Sequence, residues 1–125
     1  MQFRLKTSKK TEEVFDYIYQ REHIQPFALV KISIALALES GFKICDSIEN
    51  FDSDGLDLNR QTITGENDKL FKALIDLNEG HYIEEDEYFP NYLKQYIDYG
   101  AKLLEQEMRY SKNFYGHLVS LEKGI

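Results

Sequence analysis

Cysteine is nearly missing from this chain of 125 residues: Cys45 stands alone. A single thiol excludes an internal disulfide and fits a reducing compartment, so a cytoplasmic location is expected. No apolar run is long enough to cross a membrane. The basic, alternating opening predicts no secretory signal peptide. A Gly-rich phosphate loop, a nucleophile elbow and an HExxH pair are all missing. His23, His81 and His117 are scattered. His81 stands three residues before Glu84, a spacing a metal could use on a helix, but that stretch reads as a solvated loop. Asp52-Ser53-Asp54-Gly55 has the opening of a calcium loop without its further ligands or final glutamate, and reads as a turn. The expectation is therefore no catalytic residue, no metal, no cofactor and no enzyme activity of the chain's own.

Acidic residues are missing from the start of the chain, where basic ones cluster. The first ten residues, MQFRLKTSKK, carry Arg4, Lys6, Lys9 and Lys10 and no carboxylate, whereas residues 11–125 hold 11 Lys and Arg against 22 Asp and Glu. Phe3 and Leu5 alternate with Arg4 and Lys6, the pattern of a short strand with one charged face. Two readings stay open at this point: a solvated N-terminus, or a basic ribbon facing phosphate. Overall acidity argues against a broad nucleic-acid coat. Any DNA contact must be local, made by a patch whose field survives screening over about 10 Å.

What is present is enough for a folded domain. Apolar residues make up 42% and aromatics 14%, too much for a disordered chain. The length fits one domain, residues 1–125, able to bury a core without staples. A strand is expected at about 2–7. Ser8 then caps a helix to about Glu22, with Val14, Phe15, Ile18 and Tyr19 as its apolar stripe. Pro26 opens a second helix, PFALVKISIALALESG, that ends at Gly41. That helix is apolar almost all round, with only Lys31, Ser33 and Glu39 interrupting it, so it must be buried almost all round. Packing against a partner chain is the preferred solution; cover by the C-terminal helices of the same chain is the alternative.

Residues 42–62 read as a loop or a few short turns. Thr64 is expected to open a helix to about Asn78, with Leu70, Phe71, Leu74, Ile75 and Leu77 as its buried stripe. The acidic run Glu84–Glu87 precedes Pro90 and a long helix to about Lys112. Its two adjacent stripes are Phe89, Leu93, Ile97, Gly100, Leu104 and Tyr88, Tyr92, Tyr96, Tyr99, Leu103. The tyrosines are read as core or interface residues in preference to platforms for stacked bases. The tail, Asn113 to Ile125, is expected to fray after a short helix.

A basic strand, a helix, a tight turn and a strongly apolar helix follow the order of a ribbon-helix-helix unit. In such a unit two chains pair their strands. Arg4 and Lys6 would then face DNA, and the N-terminus of the second helix, near Pro26 and Phe27, would offer backbone N–H groups to a phosphate. The most distinctive stretch is Asn59-Arg60-Gln61-Thr62-Ile63-Thr64-Gly65-Glu66, followed by Asp68-Lys69-Leu70-Phe71-Lys72-Ala73-Leu74-Ile75. It resembles the NR-x-T-x-x-GE segment and following helix of the DndE family, small proteins of DNA sulfur modification. FALVKISIALALESG resembles the second helix of that family. The likeness runs from residue 3 to about 110.

The resemblance implies a mainly α fold. A ribbon-helix-helix-like N-terminal unit (residues 1–41: one short strand, two helices) would be followed by additional helices (42–125), in a homo-oligomer, as a tetramer. It implies a non-catalytic subunit of the phosphorothioation machinery that binds double-stranded DNA, nicked DNA best, through backbone phosphates, beside the other subunits of that system. By position the matching basic residues are Arg4, Lys6, Lys9 and Lys10, with Arg21 and Lys31 as secondary candidates. Two other functions remain: an oligomeric adaptor that docks the sulfur-transfer and ATPase subunits, and a ribbon-helix-helix repressor. For Asn59, Arg60 and Glu66 a structural role at a helix start is preferred over a phosphate contact.

Overall fold

Ser8 lies in extended backbone (φ −69°, ψ 159°) and its hydroxyl accepts the amide N–H of Thr11 at 3.1 Å. A small polar cap satisfies a donor that the first helical turn leaves unpaired, so the helix begins here. The computed structural model describes residues 4–44 and 50–109. They form β1 (Arg4–Lys6), α1 (Lys9–Glu22), α2 (Pro26–Ser40), β2 (Asp57–Asn59), α3 (Arg60–Ile63), α4 (Asp68–Glu79), α5 (Glu85–Glu87) and α6 (Lys94–Arg109). A 3-10 turn covers Gly65–Asn67 and a π-helical turn Tyr88–Leu93. The described residues are mainly helical, as expected, and carry one short strand pair where a single strand was expected. Phe3, Cys45, His117, the expected helix end at Lys112 and the tail from Asn113 lie outside them.

The helix boundaries follow local chemistry. Pro26 takes the first position of α2, where its missing N–H costs nothing, and Gly41 closes the helix in the left-handed region at φ 77°. Asn59 caps the short α3, its Oδ1 accepting the amide of Gln61 at 2.8 Å, and the helix expected from Thr64 begins instead at Asp68, after the 3-10 turn. Pro90 lies within the π-helical turn. A proline lacks the N–H of the helical ladder and clashes with the preceding turn, so a widened turn is a low-cost way through it.

The stretch expected to be a loop contains β2, and β1 pairs with it antiparallel in the same chain, Leu5 opposite Leu58 and Lys6 opposite Asp57. Both leucines are buried. The ribbon expected between two chains therefore exists here within one. A strand of three residues is too short to show a period in the sequence.

α2 is covered mainly by its own chain. Leu29, Val30, Ser33, Ile34, Leu36 and Ala37 are buried, and α6 supplies the main cover. The two helices cross at Gly100, where an added Cβ would collide with the backbone carbonyl of Ser33. The argument that α2 needs a second chain is thus corrected: the glycine lets α6 approach to backbone contact. Along α6 the tyrosine stripe is core. Tyr88 and Tyr96 are buried, and Phe42 stacks on Tyr99 (4.2 Å between centroids) and meets Tyr96 edge-on at 5.1 Å. The Tyr96 hydroxyl donates to Glu79 Oε2 at 2.6 Å and accepts from Asn78 at 2.8 Å. Burial pushes its phenol above the ordinary range, and the Glu79 carboxylate adds to that.

α4 departs most from expectation. Of its expected buried stripe Ile75 is buried and Phe71 partly so. Leu70, Leu74 and Leu77 are 56%, 39% and 78% exposed. The polar side of the helix faces the protein instead. Asp68 bonds Arg60, Asn78 donates to Phe42 O, and Glu79 accepts from Ile44 N at 3.1 Å. No described helix is long and apolar enough to cross a membrane.

Candidate nucleic-acid interface

The basic tip is held in place by carboxylates from the rest of the chain. Asp98, buried on α6, accepts from the backbone N–H of Ser8 at 3.0 Å and from the Thr11 hydroxyl at 2.7 Å. Its other oxygen takes the Lys94 ammonium, which also donates to Asp52 O at 2.7 Å. A buried carboxylate needs such partners, and a cation four residues earlier on the same helix is well placed to supply one. Asp52 Oδ2 accepts from Lys9 N at 2.9 Å and Asp54 N at 3.0 Å. Those two amides, Lys9 first, hold the Asp52 carboxyl below its ordinary value. The turn read as a broken calcium loop is thus a clasp on the start of α1. Gly55 completes it, because a side chain there would strike Ser8 O.

On this mount the expected DNA-facing residues are displayed as follows. Arg4 and Lys6 are both exposed on β1, on the side opposite buried Leu5. Lys9 and Lys10 are exposed on the first turn of α1. Three of the four carry a carboxylate: Arg4 meets Asp57 at 3.3 Å, Lys9 meets Glu12 at 2.6 Å, and Lys10 meets Glu105 at 2.9 Å. Glu12 raises the Lys9 ammonium above its ordinary value. Lys6 has no ion partner among the described residues. Ion pairs this exposed are worth about 0–1 kcal/mol and are readily exchanged for another anion.

The secondary candidates diverge. Arg21 donates to Tyr17 Oη at 2.7 Å and lies over that ring at 5.4 Å. It shares a groove between α1 and α6 with Lys10, Glu13 and Glu105. Lys9 lies in a separate cleft with Glu12, Glu13, Asp16, Gln25 and Pro26. Lys31 is half-buried on α2. Both grooves mix carboxylates with their cations. At the start of α2 the N–H groups of Ala28 and Leu29 bond Gln25 O. Pro26 has none to offer, leaving the Phe27 N–H as the donor for the expected phosphate contact there.

Arg60 proves structural in its contacts. Its guanidinium grips both Asp68 oxygens (Nε–Oδ1 3.0 Å) and reaches Glu85 Oε1 at 2.9 Å. It sits against the rings of Phe89 at 5.1 Å and Tyr88 at 5.4 Å. Its side chain is 10% exposed, so α3, α4 and α5 are pinned to the core at one point. Burial disfavours the Asp68 charge, but hydrogen bonds from Arg60 and Thr64 outweigh it, and the carboxyl titrates below its ordinary range. Glu66 is exposed in the turn before α4. Sequence reading missed Asp98 and Lys94; their signal was a charged pair four residues apart inside an otherwise apolar helical face.

A family model described as DNA sulphur modification protein DndE matches residues 4–112. The chain belongs to the DndE family. Its membership associates it with DNA sulphur modification, as the NR-x-T-x-x-GE stretch implied. Nine chains of solved structures match as well. One is the crystal structure of DndE from Escherichia coli B7A, described as involved in DNA phosphorothioation modification. It is 18% identical with a TM-score of 0.66, over 81% of this chain and 96% of that one. At that identity the likeness shows a shared DndE fold. No curated protein matches the chain.

Proposed function

We propose that this DndE family member is a non-catalytic DNA-binding subunit of the phosphorothioation machinery. It holds double-stranded DNA, nicked DNA best, by backbone phosphates, and works as a homo-oligomer, a tetramer, beside the other subunits of that system. The observation that carries the reading is the mounted basic tip. Arg4 and Lys6 stand exposed on one strand, and Lys9 and Lys10 follow at the head of α1. Arg21, which meets the groove of Lys10 but is bound to Tyr17, and half-buried Lys31 are secondary. Phosphates would replace Asp57, Glu12 and Glu105 as partners of Arg4, Lys9 and Lys10. Such contacts position DNA without reading its sequence.

A mobility shift comparing nicked with intact duplex tests this. Four phosphate contacts give a log–log salt slope of roughly −3.6 per engaged copy. The combined change of Lys6, Lys9 and Lys10 to Glu should abolish the shift while leaving the thermal melt in place. Unchanged binding by that variant would remove the tip from the DNA surface. An adaptor role is the second reading, favoured by the leucines that α4 turns outward. It predicts capture of other sulfur-modification subunits that survives the same charge reversal.

A further inference from the structure

Asp98 is a carboxylate that reaches neither solvent nor the basic surface: its side chain is 0% exposed. Burying such a charge is costly unless it is paired and hydrogen-bonded, and three donors from separate parts of the chain meet it. The Ser8 N–H and the Thr11 hydroxyl share Oδ1, and the Lys94 ammonium takes Oδ2. Ser8 stands between Lys6 and Lys9, at the corner where β1 gives way to α1. Thr7 beside it is tied to the following turn: its N–H donates to Leu56 O and its carbonyl accepts from Gly55 N, each at 2.9 Å. Lys94 joins the two supports, because it also donates to Asp52 O, and Asp52 in turn holds the Lys9 amide.

We propose that Asp98 is a positioning residue for DNA binding: from inside the fold it fixes the corner that carries Lys6, Lys9 and Lys10, and so sets how tightly those cations hold phosphate. The proposal rests on the reading of the basic tip as the DNA surface. Asp98 itself meets no phosphate, being enclosed and negative. Its effect runs through Lys94. An asparagine in its place has nearly the same shape and keeps an oxygen for Ser8 and Thr11. Its amide nitrogen, however, would face the Lys94 ammonium, donor against donor. Lys94, with its side chain 9% exposed, would be left an unpaired buried cation and would turn toward solvent, releasing Asp52 O. The turn that holds the Lys9 amide would loosen with it. The sign of the outcome separates this role from charge alone. Losing a carboxylate makes the chain one unit less negative, which by itself favours a polyanion. A positioning role predicts weaker binding from the same change.

Asp98→Asn in the full chain tests this by a mobility-shift titration on a nicked duplex at fixed salt, at a temperature where circular dichroism shows the variant fully folded. Affinity should fall on the order of tenfold, the contribution of about one charge-assisted hydrogen bond. Glu12→Gln makes the same change of charge at the solvent-facing Lys9 pair and should bind at least as tightly as wild type. A folded Asp98→Asn that binds as well as wild type, or better, overturns the proposal, since a residue that only stabilises the fold lowers the melt and leaves the affinity of the folded protein alone. Equal weakening in both variants also overturns it, because the loss would then follow charge and not the corner. Should Asp98→Asn fail to fold, Thr11→Val carries the test. It removes one bond to Asp98, keeps the Ser8 cap on the residue 11 amide and leaves the charge unchanged. It should bind more weakly than wild type, and wild-type affinity refutes the role given to Asp98. If the combined Lys6→Glu, Lys9→Glu, Lys10→Glu variant matches wild type, the tip is not the DNA surface, and this proposal falls with that reading.

Discussion

Replacing Arg60 with alanine strips the start of α4 of its principal counter-charge. Asp68 would lose both guanidinium bonds and keep the Thr64 hydroxyl at 2.7 Å, while Glu85 would lose its 2.9 Å contact. The rings of Phe89 and Tyr88 would lose the planar cover that fills the space beside them. Removing one partner of a fully buried pair costs about 3–5 kcal/mol. Glu85 is partly solvated, with 41% side-chain exposure, so the lower end applies, about 3 kcal/mol. That is a large share of the roughly 5–15 kcal/mol that holds a domain together. It corresponds to a fall in melting temperature on the order of 10 °C for a chain of this size. Arg60→Lys should recover little of it, because an ammonium cannot span two carboxylates in a planar fork. Chemical denaturation followed by circular dichroism reads the loss. In parallel, DNA affinity should be measured below the variant's melting range, where it should stay at the wild-type level. A variant that melts with wild type but no longer binds DNA would refute the reasoning and make Arg60 a phosphate ligand.

Two further outcomes follow from the geometry. Gly100→Ala should destabilise despite the roughly 1 kcal/mol that alanine gains over glycine in a helix. The new methyl meets the Ser33 backbone, which cannot rotate away, so α2 and α6 must separate. A net loss of about 1–3 kcal/mol is expected in a urea titration, and a more stable variant would contradict the crossing described. Acid should unfold the chain partly through Asp68. Its folded carboxyl titrates below the 3.8 of an unperturbed aspartate, so its stabilisation is complete above that value and fades as pH falls through the folded one. Stability measured below about pH 4 should therefore fall less steeply in Asp68→Asn than in wild type.

The helices with strong punctuation were legible in the sequence. Ser8, Pro26 and Gly41 mark ends that local chemistry alone determines, so α1 and α2 begin and stop where expected. β2 was not, because the three residues Asp57–Asn59 are too few to show a repeated alternation, and its partner lies far away along the chain. The leucines of α4 show how far periodicity reaches. It places Leu70, Leu74 and Leu77 on a common face but does not say which face is inside. Here Arg60, Tyr96 and the backbone of Phe42 and Ile44 claim the polar face from within. The basic tip was legible as a cluster of one sign. Its counter-ions were not, since Glu105 reaches Lys10 from α6 and no spacing announces it. The family could be read because NR-x-T-x-x-GE combines a cap, a buried cation and a turn glycine within eight residues.

The clasp around Ser8 and Lys9 changes the thermodynamic character of the tip. A free basic arm that becomes ordered on a polyanion gives up about 1–2 kcal/mol of backbone entropy for each residue fixed. In this chain that ordering already accompanies folding, because the Ser8, Lys9 and Thr11 amides are each bound to a fixed oxygen. A polyanion arriving at Lys6, Lys9 and Lys10 has only flexible stems to still, at about 0.5–1.5 kcal/mol apiece. The Ser8 and Thr11 amides, whose bonds are buried, should be protected from exchange with deuterated solvent although they stand near the beginning of the described chain.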